Sequence, residues 1–430
     1  MEALLFQLKK LIPKKWFERA QPKYHYMMAL LSAIRHGFPS KKIKVIAITG
    51  TKGKSSTTEI LNAVLEAAGK KTAVAGTIRF KIGDKTWANK YKMSVPGRGF
   101  IQKFLRQAVD KQCEYAILEM TSEAAKQYRH KFIDFDALIF LNISPEHIES
   151  HGGFENYLAA KLQLAEAVEK SSKRPRMIIS NGDDQNGARF LAVDAEEKYE
   201  FKLKQAEPYM LDKYGLFFTY KGRNIRTHLQ GIFNISNILA ALTYTTTQDI
   251  SPAVAEQGLQ KLSEIPGRVQ KITLPADHSL AKKQDFTVVV DYAHTADSLD
   301  KVYTVFKDSK RIGVLGNTGG GRDTWKRPEM AKVADEHCSH IILTNEDPYD
   351  EDPKKIINDM LPGITVNPYE IIMDRREAIH KAINMAQKDD TVLITGKGTD
   401  PYIMLANGKK LPWSDAKVAQ EELEKVLAAK

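Results

Sequence analysis

Cysteine is almost missing from this chain: 430 residues hold two, Cys113 and Cys338, far apart and without metal-ligand spacing. That scarcity argues against a disulfide framework or a zinc ribbon and fits a reducing cytosol. No apolar run is long enough to span a bilayer, and the first residues lack the apolar core and cleavage site of a signal peptide, so a cytoplasmic protein is expected. Low-complexity segments are absent, as are internal repeats beyond a general βα resemblance. No arginine-rich or aromatic-interleaved tract occurs, so the formal charge of +11, from 64 basic against 53 acidic residues, does not point to nucleic acid. Phosphorylated or carboxylated small substrates explain that balance as well. What is present, 43% hydrophobic and 27% charged residues, suits an ordinary globular chain of two or three domains.

The most informative stretch runs from Ile43 to Thr58. Val45 to Ile48 is a β-branched apolar run that reads as a buried parallel strand. Gly50-Thr51-Lys52-Gly53 follows as a turn, and Ser56–Ala68 reads as a helix. Glycines let backbone N–H groups point inward at anionic oxygens, and the helix N-terminus adds partial positive charge. Lys54 can reach outer phosphates and the Ser55 hydroxyl can ligate Mg²⁺, with Ser56 continuing the turn. The common P-loop has four residues between its glycines, whereas here Thr51 and Lys52 stand alone between them, so this is a shorter variant. A turn that merely joins strand to helix is the plainer reading, but Gly-Lys-Ser in strand–turn–helix context favours a phosphate cradle.

Ahead of it, residues 1–42 read as a helical extension. Leu4, Leu5, Leu8 and Leu11 have helical spacing up to Pro13, and Trp16–Arg35 forms a second helix with a stripe of Tyr24, Met27, Met28, Leu31 and Ile34. Packing against the next domain is one reading. Lys9, Lys10, Lys14, Lys15, Arg19 and Lys23 beside Trp16 and Phe17 permit another, peripheral contact with a membrane surface. Residues 43–270 alternate strands (Val45–Thr49, Thr72–Ala75, Tyr115–Met120, Ala137–Leu141, Met177–Ser180) with helices, which predicts a doubly wound parallel sheet. Leu216–Tyr220 and Asn224–Leu229 read as a hairpin or meander. A composition shift over Pro266–Gln284 marks a boundary, and residues 271–430 repeat the α/β alternation in a smaller Rossmann-like domain without a P-loop.

In such sheets ligands bind beyond the carboxyl ends of the strands, where the polar clusters of this sequence fall. Glu119 ends one strand and can ligate Mg²⁺ or simply cap a helix. Asn142, Glu146, His147, Glu149 and His151 follow another, as a metal or acid–base site or as a polar surface loop. Lys161, in an alanine-rich helix, is on its own a solvated lysine. The second domain has four polar strand ends, at Asp291-Tyr292-Ala293-His294, Gly319–Asp323, Asn345–Tyr349 and Gly396–Asp400.

Together these tracts resemble the Mur ligase family over almost the whole chain after Lys42. The resemblance is carried by Gly50–Ser56, Glu119–Ser122, Asn142–His147, Lys161 in Asn-Tyr-x-x-Ala-Lys, Asn181-x-Asp183-Asp184, Gly231-x-Phe-Asn234-x-x-Asn237 and Pro266-Gly267-Arg268. Asp291-Tyr292-Ala293-His294-Thr295, Gly321-Arg322-Asp323 and Gly396-Lys397-Gly398 complete it. Within the family it is similar to the branch that adds a diamino acid to UDP-N-acetylmuramoyl-L-Ala-D-Glu. That likeness implies ATP-dependent amide formation through an acyl phosphate, in a cytoplasmic, monomeric enzyme of peptidoglycan synthesis. It implies that Lys54 and the loop hold the phosphates, that Ser55 and Glu119 bind one Mg²⁺, and that His147 and a carbamylated Lys161 bind a second. Asn234, Arg268 and Asp291 are implied as adenine, phosphate and ribose contacts. Ser122, Gln127 and Arg129 would face the acyl substrate, and Arg322, Asp347, Gly396 and Asp400 the incoming amino acid.

Departures in three tracts and one at the front of the chain qualify the resemblance. Glu123 stands where the family often has His, and Glu146 replaces the usual Asp before the metal-binding His. Glu346-Asp347-Pro348-Tyr349 lacks the arginine of the diaminopimelate tract Asp-Asn-Pro-Arg. The last favours lysine over diaminopimelate, with Asp347 and Asp400 suiting a distal ammonium. Residues 1–42 are too short for the family's UDP-holding domain. A folylpolyglutamate-type or other amide ligase on the same scaffold is therefore a second reading, and an ATP-binding regulatory protein without ligase chemistry a third.

Overall fold

The computed structural model describes residues 14–97, 99–145, 151–212, 214–321 and 323–430, so the expectations for Glu146, His147, Glu149 and Arg322 lie outside the described residues. The chain forms two compact units. One comprises the chain to Glu207 with Tyr220–Arg223 and Ser236–Gly258; the other comprises Pro208–Thr219, Asn224–Ile235 and Leu259–Lys430.

The first unit opens with helix α1 (Lys14–Arg35), then β1 (Lys44–Thr49), α2 (Lys54–Ala67), β2 (Thr72–Ala75), β3 (Arg79–Ile82) and β4 (Lys85–Ala88). It continues with α3 (Phe100–Asp110), β5 (Tyr115–Glu119), α4 (Ser122–Lys126), β6 (Ala137–Phe140), α5 (Phe154–Glu169), β7 (Met177–Asn181), α6 (Gly187–Leu191) and β8 (Glu197–Phe201). These eight strands make one sheet in the order β4-β3-β2-β5-β1-β6-β7-β8. From β2 to β8 neighbours run parallel, and only β3 and β4 are antiparallel. β1 is buried at every position after Lys44, as expected of a strand covered on both faces. Its Val45 and Ala47 pack with Leu118, Leu138, Phe140 and Leu164 in one apolar core.

The chain goes on through β9 (Tyr209–Asp212), β10 (Gly215–Tyr220), β11 (Arg223–Thr227), α7 (Phe233–Thr246) and α8 (Pro252–Lys261). The three strands form the expected meander, in the order β11-β10-β9. After β12 (Gln270–Lys271) and β13 (Thr287–Val290) come α9 (Ala296–Val305), β14 (Arg311–Leu315), α10 (Lys326–His337), β15 (His340–Leu343), α11 (Pro353–Met360) and β16 (Tyr369–Ile371). The chain closes with α12 (Arg375–Met385), β17 (Thr391–Ile394), β18 (Tyr402–Met404), β19 (Lys410–Pro412) and α13 (Asp415–Ala429). The second sheet has the order β12-β13-β17-β14-β15-β16, parallel except for β12, while β18 and β19 pair by themselves. The doubly wound reading holds for both sheets. Among the described residues no helix is long and apolar enough to cross a membrane.

Candidate active site

β5 and β6 flank β1, with Ile48 level with Glu119 and Thr49 level with Phe140. The chain crosses over β1 in passing from β5 to β6, so the loop after Thr49 leaves the sheet where strand order reverses, the place where open α/β sheets take ligands. Both loop glycines are needed. Gly53 sits at φ +82°, and a Cβ there would lie 2.2 Å from Asn237 Oδ1; one on Gly50 would lie 3.0 Å from Leu141 Cβ. Asn142 holds the loop's shape. Its carbonyl accepts from Thr51 N and its Oδ1 from Lys52 N, each at 2.9 Å, and its Nδ2 donates to Lys52 O at 3.1 Å. Thr51 Oγ1 is 3.0 Å from Tyr157 OH and accepts from Ser144 N at 3.1 Å. Gly53 caps α2 without a side chain, which leaves the acceptor's role at the helix start to an external anion.

Two lysines meet at this loop. Lys54 Nζ folds back to donate to the carbonyls of Gly50 and Thr51, each at 2.8 Å. Lys161, from α5 and 1% exposed, donates to the same Gly50 oxygen at 2.8 Å and lies 4.7 Å over the Tyr157 ring. It is therefore no solvated surface lysine. Its nitrogen and that of Lys54 stand no further apart than twice their shared bond length, where two ammonium charges repel by about 3 kcal/mol at an effective dielectric near 20.

Glu119, at the end of β5, is buried. Ser55 Oγ donates to its two oxygens at 3.2 Å, Thr77 N to Oε2 at 2.7 Å and Thr77 Oγ1 to Oε1 at 2.8 Å. Serine, threonine and carboxylate oxygens are a hard donor set that fits Mg²⁺. Among the described residues no three His, Cys, Asp or Glu side chains gather to hold a metal. Thr77 was not anticipated; its place just past the carboxyl end of β2 was the available signal.

The acyl-substrate candidates form two hydrogen-bonded groups. Ser122, buried at the start of α4, is 3.1 Å from His151 Nε2. Gln127 donates to Glu123, and Arg129 donates to Gln127 Oε1 and to Val95 O. Burial pulls the Arg129 guanidinium below its ordinary value, with Glu123 opposing.

In the second unit β13, β17, β14 and β15 end side by side. Asp291, buried after β13, accepts from Val269 N at 2.7 Å and Ala293 N at 2.6 Å; burial pushes its carboxyl up, opposed by Arg268. The Arg268 guanidinium lies 4.4 Å over the Tyr292 ring. Asn234 is buried and donates to Gln230 O at 2.7 Å. Asp347 and Asp400, expected to suit a substrate's distal ammonium, are bridged by the chain's own Lys397, which is wholly buried and stands 2.8 Å from Asp347 and 3.4 Å from Asp400. Beside them Glu346 is buried. Its Oε1 accepts from Thr318 Oγ1 at 3.0 Å, and its Oε2 has no hydrogen-bond partner among the described residues. A Cβ on Gly396, at φ +105°, would come within 2.1 Å of that Oε2. Lys397 and Glu346 were both quoted in the sequence tracts without a role; only the strand order brings them together.

The profile described as Mur ligase middle domain matches residues 48–245, and that of the Mur ligase, glutamate ligase domain, residues 278–398. A UDP-N-acetylmuramoyl-L-alanyl-D-glutamate–2,6-diaminopimelate ligase of Syntrophomonas wolfei is 35% identical over 94% of this chain and 82% of its own length. The enzyme of that name from Aquifex aeolicus is 36% identical over 90% and 79%. A solved structure of such a ligase superposes with a TM-score of 0.60 at 26% identity, covering 89% of this chain and 78% of the other. Mycobacterium tuberculosis folylpolyglutamate synthase complexed with ADP shares the fold, with a TM-score of 0.67 at 14% identity over 93% and 96%. Two family profiles in sequence along the chain, and relatives more than a third identical over nine-tenths of it, establish that the chain belongs to the Mur ligase family.

Proposed function

We propose that this chain is a cytoplasmic, monomeric, ATP-dependent ligase that joins a substrate carboxylate to the amine of an amino acid through an acyl phosphate, releasing ADP and phosphate. The substrates are a UDP-muramoyl-dipeptide and a diamino acid, the classes that the relatives' names print. The observation that carries this reading is the convergence on one glycine loop of Lys54, buried Lys161 and the Ser55–Glu119–Thr77 oxygen set. A carboxylate and a triphosphate repel each other, so the reaction needs cations and fixed donors that hold them in line.

Lys54 leaves the loop carbonyls for the outer phosphates, while the loop backbone and the start of α2 hold the rest. Ser55 and Glu119 would hold one Mg²⁺, steadied by Thr77; His147 and Lys161 would hold a second, with Lys161 as its carbamate. Bound Mg²⁺ supplies neutralisation of the facing anions. Once its ammonium has lost a proton, the Lys161 amine can add to CO₂ and release a second proton; the resulting anionic carbamate would replace the repulsion of Lys54 by attraction. Asn234, Arg268 and Asp291 serve adenine, phosphate and ribose. Ser122, Gln127 and Arg129 face the acyl substrate. Arg322, Gly396 and the Lys397-bridged pair Asp347 and Asp400 shape the amino-acid site. A lysine-like substrate is preferred over diaminopimelate, because Tyr349 replaces the arginine that would pair with a distal carboxylate and Glu346 offers a buried carboxylate oxygen to an ammonium.

Phosphate release from ATP, measured with UDP-muramoyl-dipeptide, folate and free dipeptides, each crossed with lysine, diaminopimelate and glutamate, tests the assignment. Turnover with the muramoyl-dipeptide and lysine is expected. Turnover with folate and glutamate would reassign the chain to the folylpolyglutamate class. Nucleotide binding with no stimulating pair would make it a regulatory protein.

A further inference from the structure

Helix α1 shows two faces. One is bound to the first unit: Ala33 is fully buried, Ser32 Oγ donates to Gly99 O at 3.1 Å, and the Tyr26 ring lies 5.1 Å from Phe132 and 6.3 Å from Tyr128. The other carries Tyr24, Met27, Leu31 and Ile34, which are 51%, 58%, 51% and 58% exposed. Their spacing of three and four residues sets them in one row along the helix. Large apolar side chains scattered singly on a surface need no partner, but four in line on a helix already anchored by its opposite face do.

Charge selects the partner. Residues 1–42 contain nine Lys or Arg and two acids, Glu2 and Glu18, so a tenth of the chain carries +7 of its +11. Among the described side chains the positions bordering the row are Lys23, Met28, Leu30 and Arg35; the two charged ones are basic, and no acid is among them. A second copy of α1 laid along this row would set basic borders against basic borders, because paired helices need opposite charges there. An anionic lipid surface meets both demands at once. The apolar row enters the headgroup boundary while Lys and Arg stay among the phosphates. No described helix can cross a bilayer, so α1 would lie on it. We propose that the outer face of α1 docks this protein on membranes rich in anionic lipid.

The test is co-sedimentation of the full chain with phosphatidylcholine vesicles, with and without phosphatidylglycerol. Capture is expected only by the phosphatidylglycerol vesicles. It should weaken as salt rises from about 0.1 to 1 M, because screening shortens from about 10 to 3 Å. Met27→Asp/Leu31→Asp should cut capture by roughly tenfold or more, as should Lys23→Glu/Arg35→Glu, with the melting temperature unchanged. The charge-reversed pair, at exposed positions, decides the matter if the first pair fails to fold. Equal capture by both vesicles, or none, overturns the proposal. So does a dimer in sedimentation equilibrium that Met27→Asp/Leu31→Asp dissolves, which would make the occupant a second copy.

Discussion

A methyl group at Gly53 would press within 2.2 Å of Asn237 Oδ1 from a left-handed backbone, so Gly53→Ala is expected to shift the loop. The left-handed conformation alone costs a residue with a Cβ about 1 kcal/mol, and the displaced cradle should weaken Mg-ATP binding by roughly tenfold or more, read by titration calorimetry. At Lys161 the question is charge. Lys161→Ala should keep nucleotide binding yet lower carboxylate-dependent phosphate release by about a hundredfold or more, because the lost group acts on the meeting of anions. The wild-type chain in ¹³C-bicarbonate should show a carbamate carbon resonance that the variant lacks; its absence from the wild type would remove carbamylation from the mechanism. Lys54 was legible as a candidate phosphate ligand from its neighbours in sequence. Lys161 was not, since an alanine-rich helix reveals neither the Tyr157 ring beneath its nitrogen nor the Gly50 carbonyl in front of it.

Between elements the same division holds. Buried parallel strands such as β1 and β15 were readable because their β-branched apolar runs have few other homes. The β3–β4 hairpin and the C-terminal helix α13 were not anticipated. The former is short, with the edge strand β4 mostly exposed, and the latter hides its buried Val418, Leu423, Val426 and Leu427 among charged residues. The segment after α4 holds a titratable group with a measurable consequence. His130 is 1% exposed, neither ring nitrogen has a hydrogen-bond partner among the described residues, and burial lowers its pKa from 6.5 to about 3. Below pH 6.5 the unfolded chain binds a proton there that the folded chain refuses. The stability due to the neutral ring is therefore complete above pH 6.5 and is lost as pH falls toward 3, by about 5 kcal/mol at most. His130→Leu should flatten the urea-unfolding free energy between those pH values; an unchanged slope would mean that the ring charges in place.

For the whole molecule, each unit has apolar cores of its own, one around β1 in the first and two around β13 and β14 in the second. A ligand stabilises the unit that binds it. Mg-ATP at about a hundred times its dissociation constant should add about 2.7 kcal/mol to the loop-bearing first unit, visible as a raised calorimetric transition that Lys54→Met abolishes. An equal shift in that variant would place the nucleotide elsewhere. Read by itself, the chain determined its two α/β sheets and the glycine loop, because apolar periodicity and glycine placement act through neighbours within a few residues; its family was legible only through the resemblance of its motifs. Only the tertiary structure decided that Thr77 braces Glu119, that Lys161 is buried against the loop, and that Lys397 fills the space between Asp347 and Asp400. Within each unit those groups come from different strands and helices, and which of them meet follows from the order in which each sheet assembles its strands, a relation that spacing along the chain does not encode.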